Sequence, residues 1–259
     1  MTIRPFADSG CCHLAALDRV CSSWTWNVVA DPRRTTIRFT VERDASVTVA
    51  IPLGASASHV ARQAALRVLQ IARCVRRARE MAPDHPVKQL VGGEGFRWLS
   101  RSHRLRLVDE GPPVRLEPGP AGWLRLRREL AHDAAALIAW YTAQTLDYVQ
   151  AEGANWTGRL GLPPATYRVE ELGEERTKLR LGRSPVLTVH WAVTQLCPTR
   201  ISYVLMRELC HITAGRRLRA AEHARTMAGQ MPGWTARHTA TEQDWRFVWL
   251  GDVDGTSTP

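Results

Sequence analysis

Blocks of two-residue alternation, separated by segments of helical period, restrict this chain to a fold that mixes small sheets with packed helices. Thr36-Ile37-Arg38-Phe39-Thr40-Val41 alternates polar and apolar residues, and Val47-Thr48-Val49-Ala50-Ile51 does so again. The pair reads as a β-hairpin closed off by Pro52 and Gly54. Ser56 or Ser58 can cap a following helix, in which Ala64, Val68, Ile71 and Val75 recur at spacings of four, three and four and form one buried stripe. A second strand block follows the loop from Met81 to Pro86. Phe96-Arg97-Trp98-Leu99, Arg104-Leu105-Arg106-Leu107, Val114-Arg115-Leu116 and Trp123-Leu124-Arg125-Leu126-Arg127 are punctuated by Gly111-Pro112-Pro113 and Pro118-Gly119-Pro120. An antiparallel sheet with one wet, arginine-bearing face is expected.

The second half is mainly helical in period. Leu130, Ala134, Leu137, Ile138, Tyr141 and Tyr148 predict a long helix from about Glu129 to Glu152, and Gly161 to Pro164 breaks the chain after it. Tyr167-Arg168-Val169 and Val186-Leu187-Thr188-Val189-His190 are short strand candidates. Pro198 suits the first turn of a helix carrying Ile201, Val204, Leu205, Glu208 and His211, which Gly215 ends or bends. One more helix is expected from about Leu218 to Gln230. The expected class is α+β: an antiparallel sheet with packed helices. Residues 1–33 give weak signals and read as an N-terminal extension, 34–251 as one domain and 252–259 as a flexible tail. No internal repeat is visible.

With 44% hydrophobic residues the chain can bury a sizeable core. No apolar run is long enough to cross a bilayer, and the first ten residues lack the pattern of a signal peptide, so no membrane partner and a cytoplasmic location are expected. None of the six cysteines forms a C-x-x-C pair. Cys11-Cys12-His13 could catch a metal, although ordinary thiols are the simpler reading. The net charge of +10 permits contact with nucleic acid. The basic residues are spread out, apart from short clusters such as Arg73, Arg76, Arg77 and Arg79, and a solvated arginine-rich surface is the preferred reading.

The helix after Pro198 carries the chemistry. Arg207-Glu208-Leu209-Cys210-His211 has the form of the H-E-x-x-H zinc motif with its first histidine exchanged for arginine. In the intact motif two histidines four apart hold zinc from one helical face, and the glutamate activates a water.

The surrounding residues resemble the YgjP-like metallopeptidases, relatives of the SprT-like and wider zincin group, over most of residues 36–249. Gly93-Glu94-Gly95-Phe96-Arg97-Trp98-Leu99 with Arg104-Leu105-Arg106-Leu107 resembles the family hairpin G-E-x-F-x-Y-L-G…Y-R-L. Trp140-Tyr141 falls where the family has a W-Y pair. Val189-His190-Trp191, Cys197-Pro198 and Tyr203-Val204 resemble the run L-N-W…A-P…Y-V-V, and Met231-Pro232-Gly233-Trp234 its M-P-D-W close. The resemblance implies a minimal zincin-like α+β fold, zinc held by three histidines, and peptide hydrolysis. It also exposes departures. Arg207 stands at the first ligand position, and the third falls on Arg217 counted from His211, or on Arg219 counted back from Pro232. The family asparagine of L-N-W is His190, and the W-G-S-C segment is absent from Arg176–Ser184.

A unit charge about 4 Å from zinc, at an effective dielectric near 20, repels the ion by about 8 kcal/mol. A complete structural site supplies roughly 10–16 kcal/mol. Zinc is therefore expected to be absent or weakly held, with Glu208 paired to Arg207, Arg217 or Arg219 in some combination. The first expectation for function is a degenerate metallopeptidase whose cleft binds a peptide or protein. The second is an active peptidase with a rebuilt site, in which His190, His211 and His223 hold zinc and Glu208 is general base. The third is a basic accessory protein acting with nucleic acid or a nucleic-acid enzyme. Thiol–imidazole pairs between Cys197 or Cys210 and His190 or His211 are a weaker option.

Overall fold

A computed structural model describes residues 7–21, 24–42, 45–81, 84–117, 122–162 and 165–254. These carry seven α-helices and three small sheets, an α+β arrangement. The chain divides into two compact units, Met1–Asp84 with Val91–Arg128, and His85–Leu90 with Glu129–Pro259. Among the described residues no helix is long and apolar enough to cross a membrane.

In the first unit the expected hairpin forms from β2 (Arg38–Val41) and β3 (Val47–Pro52), paired antiparallel. The residues read as an extension supply α1 (Ala7–Val20) and β1 (Trp26–Asp31), and β1 pairs parallel with β3. Strand alternation turns Val47, Val49 and Ile51 inward, at 4% exposure or less, onto Leu17, Trp26 and the buried stripe of two helices. Those helices are α2 (Ala57–Leu66) and α3 (Val68–Met81), which bury Val60, Ala64, Ile71 and Val75. Ser56 caps α2 by accepting the His59 N–H at 3.3 Å. The single helix expected here is interrupted at Arg67, whose backbone (φ −108°, ψ 7°) leaves the helical region. The Cys11-Cys12-His13 segment lies in α1. Cys12 is exposed, whereas His13 is buried and its Nε2 donates to the Ala55 carbonyl at 2.8 Å, so these two side chains diverge.

The second sheet contains β4 (Gly95–Trp98), β5 (Arg101–Val108), β6 (Val114–Glu117) and β7 (Trp123–Arg127), in the order β4-β5-β7-β6. It is mixed rather than antiparallel. Two hairpins, β4–β5 and β6–β7, lie side by side and join through a parallel β5–β7 pair. Alternation and turn residues specify each hairpin locally, but the seam between them is a long-range choice.

His103, on the buried face of β5, is 8% exposed. Burial, reinforced by the Arg101 charge and opposed by the Gly122 backbone, depresses its pKa to about 4 from an ordinary 6.5. The unfolded chain therefore takes up this proton first as pH falls. The stability tied to neutral His103 is whole above pH 6.5 and is lost progressively towards pH 4, by roughly 3 kcal/mol. His103→Leu is expected to flatten this part of the acid limb in denaturant titrations read between those pH values.

In the second unit α4 (Ala135–Leu160) begins after Asp133, whose carboxylate accepts the Ala135 N–H at 2.8 Å, and ends at Gly161 in a left-handed conformation (φ 63°). Its buried face packs Tyr141 against Trp191 and Trp249, with ring centroids 5.7 and 6.2 Å apart. The third sheet has β10 (Val186–His190) at its centre, parallel to β8 (Thr166–Glu170) and antiparallel to β9 (Thr177–Arg180). Helices α5 (Pro198–Thr213), α6 (Ala220–Gln230) and α7 (Trp234–Trp245) complete the unit. Of the tail, Val253 bridges to Lys88, and 255–259 lie outside the described residues.

Gly153 lets α4 approach β8 closely: a Cβ there would stand 2.2 Å from the Tyr167 ring. At Gly158, about one and a half turns nearer the end of the same helix, nothing lies within 4 Å of that position. Gly153→Ala is expected to cost about 1–3 kcal/mol as Tyr167 is displaced. Gly158→Ala is expected to add up to about 1 kcal/mol by removing helical backbone entropy. Opposite shifts of the melting temperature check the pair.

Candidate functional site

Pro198 opens α5 at its first turn, where a missing N–H costs nothing, and Gly215 follows its end with φ 65°. The middle of this helix is enclosed on nearly every side, with Tyr203, Val204, Leu205, Met206, Glu208, Leu209 and Cys210 all buried. Glu208 is only 5% exposed, so its carboxylate needs cationic or hydrogen-bonding partners.

It has them. Arg207 donates to Oε1 of Glu208 through both Nε (3.0 Å) and Nη2 (2.9 Å). Its Nη2 also reaches Thr177 Oγ1 at 3.1 Å, and the Thr177 hydroxyl donates to the same Oε1 at 3.1 Å. Arg217 stands 3.5 Å from the other oxygen, Oε2, while its Nη2 donates to the Leu179 carbonyl at 3.0 Å. The network thus ties α5 to edge strand β9. Burial works against the Arg207 charge, but the Glu208 carboxylate and then Tyr203 outweigh it and hold the guanidinium pKa above its usual value. Arg217 is 57% exposed on its side chain, so its pair with Glu208 is largely solvent-screened.

Arg219 does not join this network. Exposed at the start of α6, it donates its backbone N–H to the Glu222 carboxylate at 3.1 Å. Glu222 also takes two hydrogen bonds from Arg216, the first cause of its pKa falling to about 2.

His211 and His223 do come together, their rings stacked with centroids 4.7 Å apart and planes inclined by 19°. Their hydrogen bonds assign their tautomers. Nδ1 of His211 accepts the Leu218 N–H at 3.0 Å, so the proton of the neutral ring sits on Nε2. Nε2 of His223 bonds the Arg207 carbonyl at 2.9 Å and must be the donor. Burial, and next the His223 ring, lower the His211 pKa.

His190 is elsewhere. Val189 pairs with Thr177 in the sheet, so alternation puts Thr177, Val189 and Leu187 on one face and His190 on the other. It is fully buried, with Nδ1 accepting the Ala192 N–H at 3.0 Å and Nε2 on Glu171 at 2.8 Å. This caps the short 3-10 helix Trp191–Gln195. An asparagine could offer the same side-chain acceptor, which gives this position a structural use. Burial lowers the His190 pKa against the pull of Glu171.

The gathered side chains do not fit a zinc ion. A guanidinium occupies the carboxylate that would activate water, the Nε2 of His211 carries a proton, and His190 faces away. Among the described residues, no three His, Cys, Asp or Glu side chains come together as a metal site. Cys210 adds no nucleophile: burial, with the Glu208 charge, pushes its thiol up to about 11, and it points at Met227 Sδ, 3.4 Å away.

A family model described as YgjP-like, metallopeptidase domain, matches residues 35–243. The chain belongs to the YgjP-like metallopeptidase family. This is a zinc metallopeptidase-type family, as the motif helix and the order of segments implied. No curated protein and no solved structure matches the chain.

Sequence reasoning on this YgjP-like chain missed several residues of the site. Thr177 lies on a four-residue strand with one buried residue, too short for its alternation to announce it. Tyr203, one helical turn before Arg207, bonds Nδ1 of His238 at 2.9 Å, and Glu242 pairs with Arg176 at 2.5 Å. His238 and Glu242 stand on α7, whose apolar pattern is too sparse to announce a helix. The i, i+4 spacing of Tyr203 and Arg207 was the one available signal.

Proposed function

We propose that this chain is a YgjP-like protein whose metal site has been exchanged for an arginine–carboxylate network. Peptide hydrolysis is lost or severely weakened, and the former cleft beside α5 and β9 binds a peptide or protein instead. The observation that carries this reading is the double donation of Arg207 to Oε1 of Glu208, at 3.0 and 2.9 Å. Water activation needs that carboxylate as a free base, and here it is the acceptor of a fixed cation. The guanidinium supplies the counter-charge that a buried carboxylate requires, a role a metal ion would otherwise fill. A cytoplasmic setting suits the proposal.

Peptidase assays on unfolded protein and mixed peptide substrates, with and without added zinc, test it. No turnover above the background of a Glu208→Gln variant is expected in either condition. Chelator-sensitive hydrolysis that disappears in Glu208→Gln would overturn the reading and favour a rebuilt metal site. Retention of peptides by the same inactive protein, weakened by substitutions along β9, is the expected sign of the cleft.

A further inference from the structure

The outer face of the second sheet concentrates arginine in a pattern that the site on α5 does not use. Paired residues share a face, and the register aligns Arg106 of β5, Arg125 of β7 and Arg115 of β6 in one row across three neighbouring strands. Arg104 and Trp123 form the next pair along, and Arg127 lies on the same face beyond the row. Arg104, Arg106 and Arg115 are exposed. The Arg106 guanidinium lies over the Trp123 ring, 5.8 Å from its centroid. Glu117, bonded to Arg125 at 2.6 Å, is the carboxylate that this face's own strands offer the five arginines.

Like charges placed directly opposite across strands, about 4.8 Å apart, destabilise a sheet. A row of three is an arrangement that bound anions would relieve. A flat basic surface with an aromatic ring among guanidinium planes offers phosphate contacts and stacking partners to the same ligand. We propose that this face is a binding platform for single-stranded nucleic acid, with the arginine row along the phosphates and Trp123 stacking on a base. Duplex DNA suits it less, because its bases are stacked inside and cannot meet the ring. The platform belongs to the first unit and does not depend on the reading of Glu208.

Fluorescence anisotropy with labelled single-stranded RNA and DNA 20-mers of mixed sequence, over about 50 to 200 mM salt, tests the proposal. Arg104→Gln/Arg106→Gln/Arg115→Gln is expected to weaken binding at least tenfold and to flatten the slope of log K against log salt by about 2, at about 0.7 per phosphate contact. Trp123→Ala is expected to weaken binding about 5-fold to 100-fold with the slope kept, as for a lost stacking partner. The control Arg73→Gln/Arg76→Gln/Arg77→Gln removes the same charge from the exposed side of α3 and is expected to change affinity less than threefold. The RNA and DNA arms show which sugar is preferred. Equal losses from the α3 control and the sheet variant would overturn the platform, as would duplex binding as tight as single-strand binding. So would tighter binding to an acidic peptide or to anionic vesicles, or no binding at all. Circular dichroism of each variant confirms folding, and the three substituted sheet arginines are exposed.

Discussion

Arg207→Met is expected to destabilise the protein by about 3 kcal/mol, because it strands the Glu208 carboxylate in a site where that side chain is 7% exposed. Breaking a buried ion pair costs about 3–5 kcal/mol. The low end applies because Arg207 is 27% exposed and because Arg217 and Thr177 remain at 3.5 and 3.1 Å. The penalty belongs to the abandoned charge rather than to the lost contact. Arg207→Met/Glu208→Leu is therefore expected to recover part of the loss, whereas independent sites would add theirs. Chemical denaturation of the two single variants and the double variant gives the coupling directly.

The largest gain is expected from replacing both arginines around Glu208 with histidine. Arg207→His/Arg217→His removes two cations, restores a pair of histidines four apart on one helical face, and leaves Glu208 without its fixed partner. A full Coulomb release would be worth about 8 kcal/mol for each cation standing about 4 Å from the ion. Much of it is lost because the side chains can turn away and because His211 must shift its proton off Nε2 and give up the Leu218 N–H. A rise in zinc affinity of about 100-fold, equivalent to about 2.7 kcal/mol, is the expected net result. Competition with a chromophoric chelator measures it without reference to activity. Arg207→His/Arg219→His is expected to gain less, since Arg219 caps α6 and stands outside the network. A larger gain for the Arg219 pair would mean that the third ligand position follows the other count.

Local pattern made much of this arrangement legible. The β2–β3 hairpin and the stripe of α4 announce themselves because one face of each is buried and the other wet. Proline at the start of α5 and glycine after its end mark both limits of the motif helix. Elements with few buried residues stayed hidden. β1 fully buries only Trp26, β9 only Leu179, and α7 only Thr241 and Trp245, too few positions to fix a period. The parallel β5–β7 seam was out of reach for another reason, since no turn connects those two strands directly.

At the site, the charge balance could be read but the geometry could not. A buried glutamate beside arginines foretold a guanidinium partner, and Arg207 and Arg217 fill that role. The choice between Arg217 and Arg219 depended on the turn between α5 and α6, whose length the spacing left open. His190 was a candidate ligand because it lies near the motif in sequence. One step of strand alternation puts it on the opposite face from Thr177, and that parity depends on the pairing with the unread strand β9.

The metal content of the unaltered protein, purified without added zinc and measured by elemental analysis against protein concentration, tests the arginine-for-metal exchange most directly. Zinc well below one ion per chain is expected, together with no thermal shift on adding the metal. One tightly held zinc per chain, displaced only by strong chelators, would contradict the exchange and return Glu208 to the role of a general base.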